Sequence, residues 1–323
     1  MSIPESPPLA ESRVATRPLG NTGIEVSEVA LGTWGIGANA YGPITTAQFE
    51  DTVRAAWDAG ITTFDVASSW GGGIAEKRLG LALGNDLEKA VLVVRAGQVA
   101  MEGRLQGQFD GGSLIRQVES SLTRLGRENI DVLLLHNPPA KVIGSDFFWK
   151  GTSHLKSSGL VKTWGMAVGS AEDARLAIEH GASVLCLTHN LLYRSDLEAL
   201  QALIDQHQTG IFTRSPLLYG VLTGRFNAET VFPENDHRHR RWYRDAWQRR
   251  IEEVETLRPL VTEGIPDMTT LALRFVLATS QVSAMFVGAR SAEQVKSAVQ
   301  AVQDQAPYLT PALLAKIEGI RPS

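Results

Sequence analysis

The chain has 323 residues, of which 43% are hydrophobic and 20% charged, and its formal net charge is −4. It can bury a large core, and its near-balanced charge argues against a nucleic-acid partner and against an anionic membrane surface. The single cysteine, Cys186, excludes an internal disulfide and suits a reducing compartment.

Residues 1–15 are rich in Pro, Ser and Glu, hold no apolar core of signal-peptide length, and are followed by no stretch apolar enough to span a bilayer. They are expected to fray ahead of a single unit over residues 16–323, in a soluble, cytoplasmic protein. Asn21-Thr22-Gly23, between Arg17-Pro18-Leu19 and Ile24-Glu25-Val26, predicts a hairpin before the main fold.

Eight apolar runs then read as strands, at residues 29–34, 62–67, 90–96, 130–136, 162–168, 184–189, 210–215 and 282–288. Between them, apolar residues at three- and four-residue spacing predict helices, among them 46–59, 113–125, 171–180 and 197–206. The alternation runs without a break in composition, which predicts an α/β fold of the (β/α)8 TIM-barrel type. In that fold the strand carboxyl ends open on one mouth, so Asp65, Arg95, His136, Val168, His189 and Ser215 are expected to face a common space.

Function should concentrate where residues 62–67 run into the polar, glycine-rich loop Ser68-Ser69-Trp70-Gly71-Gly72-Gly73. Asp65 sits at the strand exit, Trp70 in the loop, and helical spacing resumes at residues 74–81. The longest irregular stretch, residues 218–247, has the length of a lid or binding loop, with disorder as the plainer alternative. Its basic run of Arg238, Arg240, Arg241, Arg244, Arg249 and Arg250 is flanked by Asp236, Asp245, Glu252 and Glu253 and reads as a solvated helix face.

Several motifs recur in order along the chain: Arg17-Pro18-Leu19-Gly20, Leu31-Gly32-Thr33-Trp34, Phe64-Asp65, Asp131-Val132-Leu133-Leu134-Leu135-His136-Asn137-Pro138-Pro139, Ser215-Pro216-Leu217 with Gly220 to Arg225, and Gly288-Ala289-Arg290-Ser291-Ala292-Glu293-Gln294-Val295. With this set, residues 17–303 resemble the aldo-keto reductases. The resemblance implies a barrel that binds extended NADP(H) across its mouth and reduces carbonyls with an aspartate, a tyrosine, a lysine and a histidine. Asp65 matches the aspartate and His136 the histidine, whereas Trp70 and Arg95 stand where the tyrosine and lysine are expected. An indole N–H does not titrate and a guanidinium stays charged, so the proton relay is lost and Arg95 is expected to pair with Asp65.

The resemblance also implies an unevenly eroded NADP(H) site. Ala167, Val168 and Cys186 replace the side chains that hold the nicotinamide amide, and Ser297-Ala298 replaces a Glu-Asn pair near the adenine. The diphosphate loop is kept in Ser215, Leu217, Gly220, Leu222 and Gly224, and Arg290 could meet a 2′-phosphate.

His136 is the candidate acid–base, with a hydrogen-bonded wall histidine as its plainer reading, and for Asp65 with Arg95 the structural ion pair is favoured over a catalytic one. Trp34, Tyr41 and Trp70 are candidate substrate-binding aromatics. Tyr41 and Tyr219 could each replace the missing acid, although ordinary loop tyrosines are the favoured reading. A metal held by His136 and His189 finds no support in an HExxH pattern or a cysteine cluster.

Three functions follow, in this order. The first is a redox-neutral lyase, dehydratase, isomerase or cyclase on a small carbonyl or hydroxy metabolite, with His136 as acid–base. The second is an NADP(H)-dependent oxidoreductase, a carbonyl reductase or alcohol dehydrogenase, with a substitute proton donor. The third is a non-catalytic ligand-binding barrel. The partner in each case is a small molecule.

Overall fold

The computed structural model describes residues 14–101, 104–303 and 305–320, so most of the segment expected to fray lies outside the described residues. The predicted hairpin is formed by β1 (Thr16–Pro18) and β2 (Glu25–Ser27), antiparallel with Arg17 opposite Val26. In its turn Thr22 Oγ1 donates to the Leu19 carbonyl at 2.7 Å and accepts from the Ile24 N–H at 3.3 Å. Leu19 and Val26 are fully buried among the barrel's inward residues, and Leu19 lies against Gly210, so the hairpin closes the amino-terminal end of the barrel.

The barrel strands are β3 (Val29–Gly32), β4 (Thr63–Ala67) and β5 (Val91–Ala96), then, after an outlying hairpin of β6 (Gln98–Met101) and β7 (Arg104–Gly107), β8 (Ile130–His136), β9 (Val161–Ala167), β10 (Val184–Thr188), β11 (Gly210–Arg214) and β12 (Ala284–Val287). They close in the order β3-β4-β5-β8-β9-β10-β11-β12, every neighbour parallel. All eight predicted strands are present. β3 stops short of its predicted end because Trp34–Gly37 already forms a helical turn.

Helix starts follow their caps. Thr45 and Gln48 form a reciprocal capping box on the helix Thr46–Asp58, Asp110 accepts from the Ser113 N–H at 2.9 Å to open Gly111–Leu125, and Ser170 caps Ala171–Glu179. The helix expected at 197–206 is two pieces, Ser195–Glu198 and Gln201–His207. The long stretch 218–247 contains the short turns Leu218–Thr223 and His237–Arg240 and the beginning of a helix, Arg244–Leu257. No helix among the described residues is long and apolar enough to cross a membrane.

Side chains alternate across each strand, and the two buried clusters follow that period. Ala30, Val93, Val132, Leu134, Ala167, Cys186, Phe212 and Phe286 fill the barrel interior, while Leu31, Phe64, Val94, Leu133, Met166, Leu185 and Ile211 pack outward beneath the helices. The same parity carries Asp65, Arg95, His136 and Arg214 inward at the carboxyl ends of β4, β5, β8 and β11.

Candidate active site

Asp65 and Arg95 form the floor of the mouth. Arg95 Nε donates to Asp65 Oδ1 at 2.7 Å and Nη2 to Oδ2 at 3.0 Å, with the two residues 3% and 5% exposed. Arg95 Nη2 also reaches Cys186 Sγ at 3.4 Å. Burial opposes both charges: it raises the Asp65 carboxyl above its ordinary value, with Arg95 pulling back, while for Arg95 burial is the largest single influence and lowers it, yet the charges and hydrogen bonds of Asp65 and Cys186 together hold the guanidinium above its already high value. The pair is a fixed, doubly hydrogen-bonded dipole and not a proton carrier.

Trp70 roofs this pair. Its ring centroid lies 5.9 Å from Arg95 Cζ, with Phe286 at 5.5 Å, and Trp70 is 7% exposed. The turn that aims the indole inward needs glycine: Gly71 has φ +64°, and a Cβ there would sit 2.5 Å from the Gly37 carbonyl oxygen.

His136 ends β8. Its Nδ1 is buried and, among the described residues, has no hydrogen-bond partner. Burial first, then the charges of Arg95 and Arg214, lower its pKa from the ordinary 6.5 to about 3, so the imidazole is neutral across physiological pH. It can orient an oxygen through an N–H, but it holds no spare proton to give.

Arg214, the last residue of β11, was not singled out from the sequence. Its guanidinium spans the mouth, with Nε donating to Thr188 Oγ1 at 3.2 Å, Nη1 to Asn137 Oδ1 at 3.2 Å and Nη2 to the Val168 carbonyl at 2.8 Å. Among the described residues no carboxylate lies within ion-pair distance of it, and its charge reaches both Asp65 and His136. The signal that could have found it is parity: Phe212 points inward, so Arg214 two residues on does as well.

The same rule moves His189 out of the expected common space. Cys186 faces inward, so His189 three residues later faces outward, where its ring stacks on Phe275 at 5.3 Å and Nε2 lies 3.0 Å from Thr279 Oγ1. It does not join His136, and among the described residues no three His, Cys, Asp or Glu side chains gather as a metal site. Val168 contributes its carbonyl to the mouth, and the Ser215 carbonyl is taken by Asn190 Nδ2 at 2.9 Å.

A strap made from two loops lies over the barrel end. Ala40 accepts from the His237 N–H at 2.8 Å, and Tyr41 bridges Asp236. Trp34 meets the rings of Tyr41, Tyr219 and His237 at 5.7, 6.3 and 4.8 Å. Arg238, read from sequence as part of a solvated face, is instead partly buried: it stacks over Phe232 at 4.4 Å and Tyr41 at 4.8 Å, and pairs with Asp236. Burial pushes the Tyr41 phenol up to about 12, and the Tyr219 hydroxyl accepts from Arg241. No hydrogen bond among the described residues joins either tyrosine to His136.

The cofactor loop is mixed in character. Ser215 and the consecutive Leu218, Tyr219 and Gly220 have φ of 56°, 45°, 58° and 90°, the Leu218 N–H bonds the Ser215 carbonyl, and Arg238 Nη1 holds the Tyr219 carbonyl at 3.2 Å. Leu217 receives the Gly220 and Leu222 N–H groups on its carbonyl, Leu222 is fully buried, and Gly224 closes the turn against Met268. Arg290 donates to the carbonyls of Tyr41, Gly42 and Pro43 at 2.8, 3.1 and 3.2 Å, and its buried Nε has no partner among the described residues. The Gly220, Leu222 and Gly224 N–H groups and both terminal nitrogens of Arg290 are thus engaged by carbonyls of the chain itself. At the other end the Ala167, Val168 and Cys186 side chains offer no amide partner, and the Cys186 sulfur is taken by Arg95. A separate cleft of about 350 Å³, lined by Ser68, Ser69, Gln108, Arg116, Gln117 and Arg124 among others, does not include Asp65, Arg95, His136 or Arg214.

Comparison with known proteins agrees with this architecture. The NADH-specific methylglyoxal reductase of Escherichia coli is 27% identical over 311 residues, covering 88% of this chain and 92% of the relative. A probable voltage-gated potassium channel subunit beta of Arabidopsis thaliana is also 27% identical, over 94% of this chain and 95% of its own. The structure of a glycerol dehydrogenase from Gluconobacter oxydans superposes with a TM-score of 0.81 at 25% identity, over 97% of this chain and 95% of the other. A family model described as the Aldo/keto reductase family matches residues 28–318. With the closed parallel barrel and a match over most of its length, the chain belongs to the aldo/keto reductase family.

Proposed function

We propose that this protein is a nicotinamide-cofactor-dependent oxidoreductase that interconverts a small carbonyl compound and its alcohol, with fixed guanidinium charge and a neutral histidine in place of a titrating phenol. This is the second of the three readings drawn from sequence. Relatives named as a methylglyoxal reductase and a glycerol dehydrogenase, each matching nearly the whole chain, support it over redox-neutral chemistry.

One observation carries it: the half-buried His136 at the carboxyl end of β8, under the charges of Arg95 and Arg214, with Nδ1 buried and without a partner among the described residues, which leaves Nε2 to meet a substrate. A neutral imidazole carrying its proton on a nitrogen that faces the mouth can donate to a carbonyl oxygen. Negative charge developing on that oxygen meets the field of the two guanidiniums, a preorganised stabilisation that needs no proton transfer at that moment. Water at the mouth then supplies the proton. Trp70, Trp34 and Tyr41 give the substrate an aromatic wall. A nicotinamide cofactor, when bound, supplies or takes up the hydride. In this reading the backbone of Ser215, Leu217, Gly220, Leu222 and Gly224 meets its diphosphate and Arg290 its 2′-phosphate. The lone, buried Cys186 suits the cytoplasm.

The test is consumption of NADPH or NADH by the purified chain with methylglyoxal or glyceraldehyde, matched to alcohol formed. Turnover with equal loss of cofactor and gain of alcohol supports the reading, and failure of both cofactors to bind or react overturns it. The apolar wall of Ala167, Val168 and Cys186 favours the redox-neutral alternative, which gains if a carbonyl substrate is converted while the cofactor is untouched.

A further inference from the structure

We infer that the substrate carries an oxyanion, a carboxylate or a phosphate, and that Arg214 binds it beside His136. The inference names the substrate class for the site just described and rests on that reading only for the site's location.

The charges at the mouth do not balance. Arg95 is neutralised by Asp65 through two hydrogen bonds, and His136 is neutral, so these three groups sum to zero. Arg214 adds a positive charge, half-buried and held, among the described residues, by the neutral acceptors Thr188, Asn137 and Val168. Its charge has no carboxylate within ion-pair distance among the described residues, and a charge-assisted, two-pronged bond to an oxyanion is the strong interaction open to a guanidinium so placed. Three of the five guanidinium N–H groups are occupied, which leaves two for an incoming oxyanion.

The three bonds also hold the guanidinium still. Asn137 follows β8, Val168 follows β9, and Thr188 ends β10 directly opposite Arg214 in register, so the side chain is anchored to three neighbouring strand ends. A preorganised fork of this kind loses little freedom on binding. Because Arg214 is also one of the two charges that depress His136, an anion seated on it relaxes that influence and brings the imidazole closer to protonation. A substrate with its anion on Arg214 and its carbonyl oxygen at His136 would be held at two points, which fits a short oxo acid or a phosphorylated aldehyde.

Equilibrium titration of the full chain tests this without requiring turnover. The probes are two pairs, pyruvate with methyl pyruvate and glyceraldehyde 3-phosphate with glyceraldehyde, at constant ionic strength, read by calorimetry and by tryptophan fluorescence. The charged member of at least one pair should bind about tenfold or more tightly than its neutral partner, and the pair that shows the difference identifies carboxylate or phosphate. Arg214→Gln should abolish the preference, and Arg214→Lys should retain part of it. Equal binding of charged and neutral probes, no binding of either anion at about 10 mM, or an anion preference that survives in Arg214→Gln overturns the inference. Should Arg214→Gln fail to fold, the wild-type pairs together with Arg214→Lys decide it. Anion-selective binding without cofactor oxidation would sink the oxidoreductase reading alone, and cofactor-dependent reduction of neutral carbonyls without anion preference would sink this inference alone.

Discussion

Arg95 meets Asp65 edge-on, Nε to Oδ1 at 2.7 Å and Nη2 to Oδ2 at 3.0 Å, inside a barrel that leaves both side chains almost fully buried. A buried pair of this kind is worth little against an apolar replacement of both partners but much against the loss of one. Arg95→Met should therefore lower unfolding free energy by about 3–5 kcal/mol, and Asp65→Asn combined with Arg95→Met should lose less than Arg95→Met alone. Urea unfolding of the three proteins gives the values. A double variant at least as unstable as the single one would show that the pair is not the unit assumed here.

The pH dependence of turnover follows from what titrates. His136 lies at about 3 and Tyr41 at about 12, while Arg95 stays charged and Trp70 has no proton to exchange. The kcat/KM of the wild type should be flat from about pH 6 to about pH 9. Trp70→Tyr with Arg95→Lys places a phenol and an amine beside Asp65 and should raise carbonyl reduction about tenfold or more, with a new basic limb in the profile. A bell-shaped wild-type profile would point to a titrating group the structure does not place in the site.

Acid should weaken the fold through its buried histidines. His136 falls to about 3, and His189 and His237 each to about 4, with burial the largest cause in all three. Their folded values lie below the ordinary 6.5, so the unfolded chain takes up protons first as pH falls, and their stabilising contribution, complete above about 6.5, is lost down to about 4 for His189 and His237 and down to about 3 for His136. Urea midpoints of wild type and His189→Gln, measured between about pH 7 and about pH 4, should converge as pH drops. Parallel curves would mean that His189 keeps an ordinary pKa.

The strap depends on Arg238, stacked between Tyr41 and Phe232 and paired with Asp236. Arg238→Ala should cost about 1–3 kcal/mol and speed proteolytic cutting within residues 218–243, with Arg238→Lys intermediate because an ammonium cannot reproduce the planar fork. Limited proteolysis followed by mass spectrometry checks it. Unchanged cutting in Arg238→Ala would show that the strap is held by its backbone bridges.

Much of the barrel was legible because parallel strands covered on both faces read as near-continuous apolar runs, as residues 91–94 and 132–135 do. The hairpin of β6 and β7 escaped notice since its residues are mostly exposed and carry no burial pattern to betray a strand. The Asp65–Arg95 contact was expected from residue type and strand position together. Arg214 was passed over for its neighbour Ser215, as a lone arginine at a strand end has the look of a surface charge until the inward parity of Phe212 is applied. His189 was misplaced for the same reason, one residue beyond the end of β10. The strap was legible only as a long loop over residues 218–247 and not as a contact: Trp34, Tyr41, Tyr219 and His237 meet only after the barrel brings together loops nearly two hundred residues apart.

The most direct test of an oxidoreductase that works without a phenol is transfer of deuterium from NADPH or NADH labelled at the reactive ring carbon to methylglyoxal or glyceraldehyde, by the wild type and by a Tyr41→Phe, Tyr219→Phe double variant. Mass spectrometry should find carbon-bound deuterium in the alcohol product from both proteins, at rates within about threefold of each other. No deuterium transferred by the wild type, or transfer abolished by removing the two hydroxyls, would contradict it.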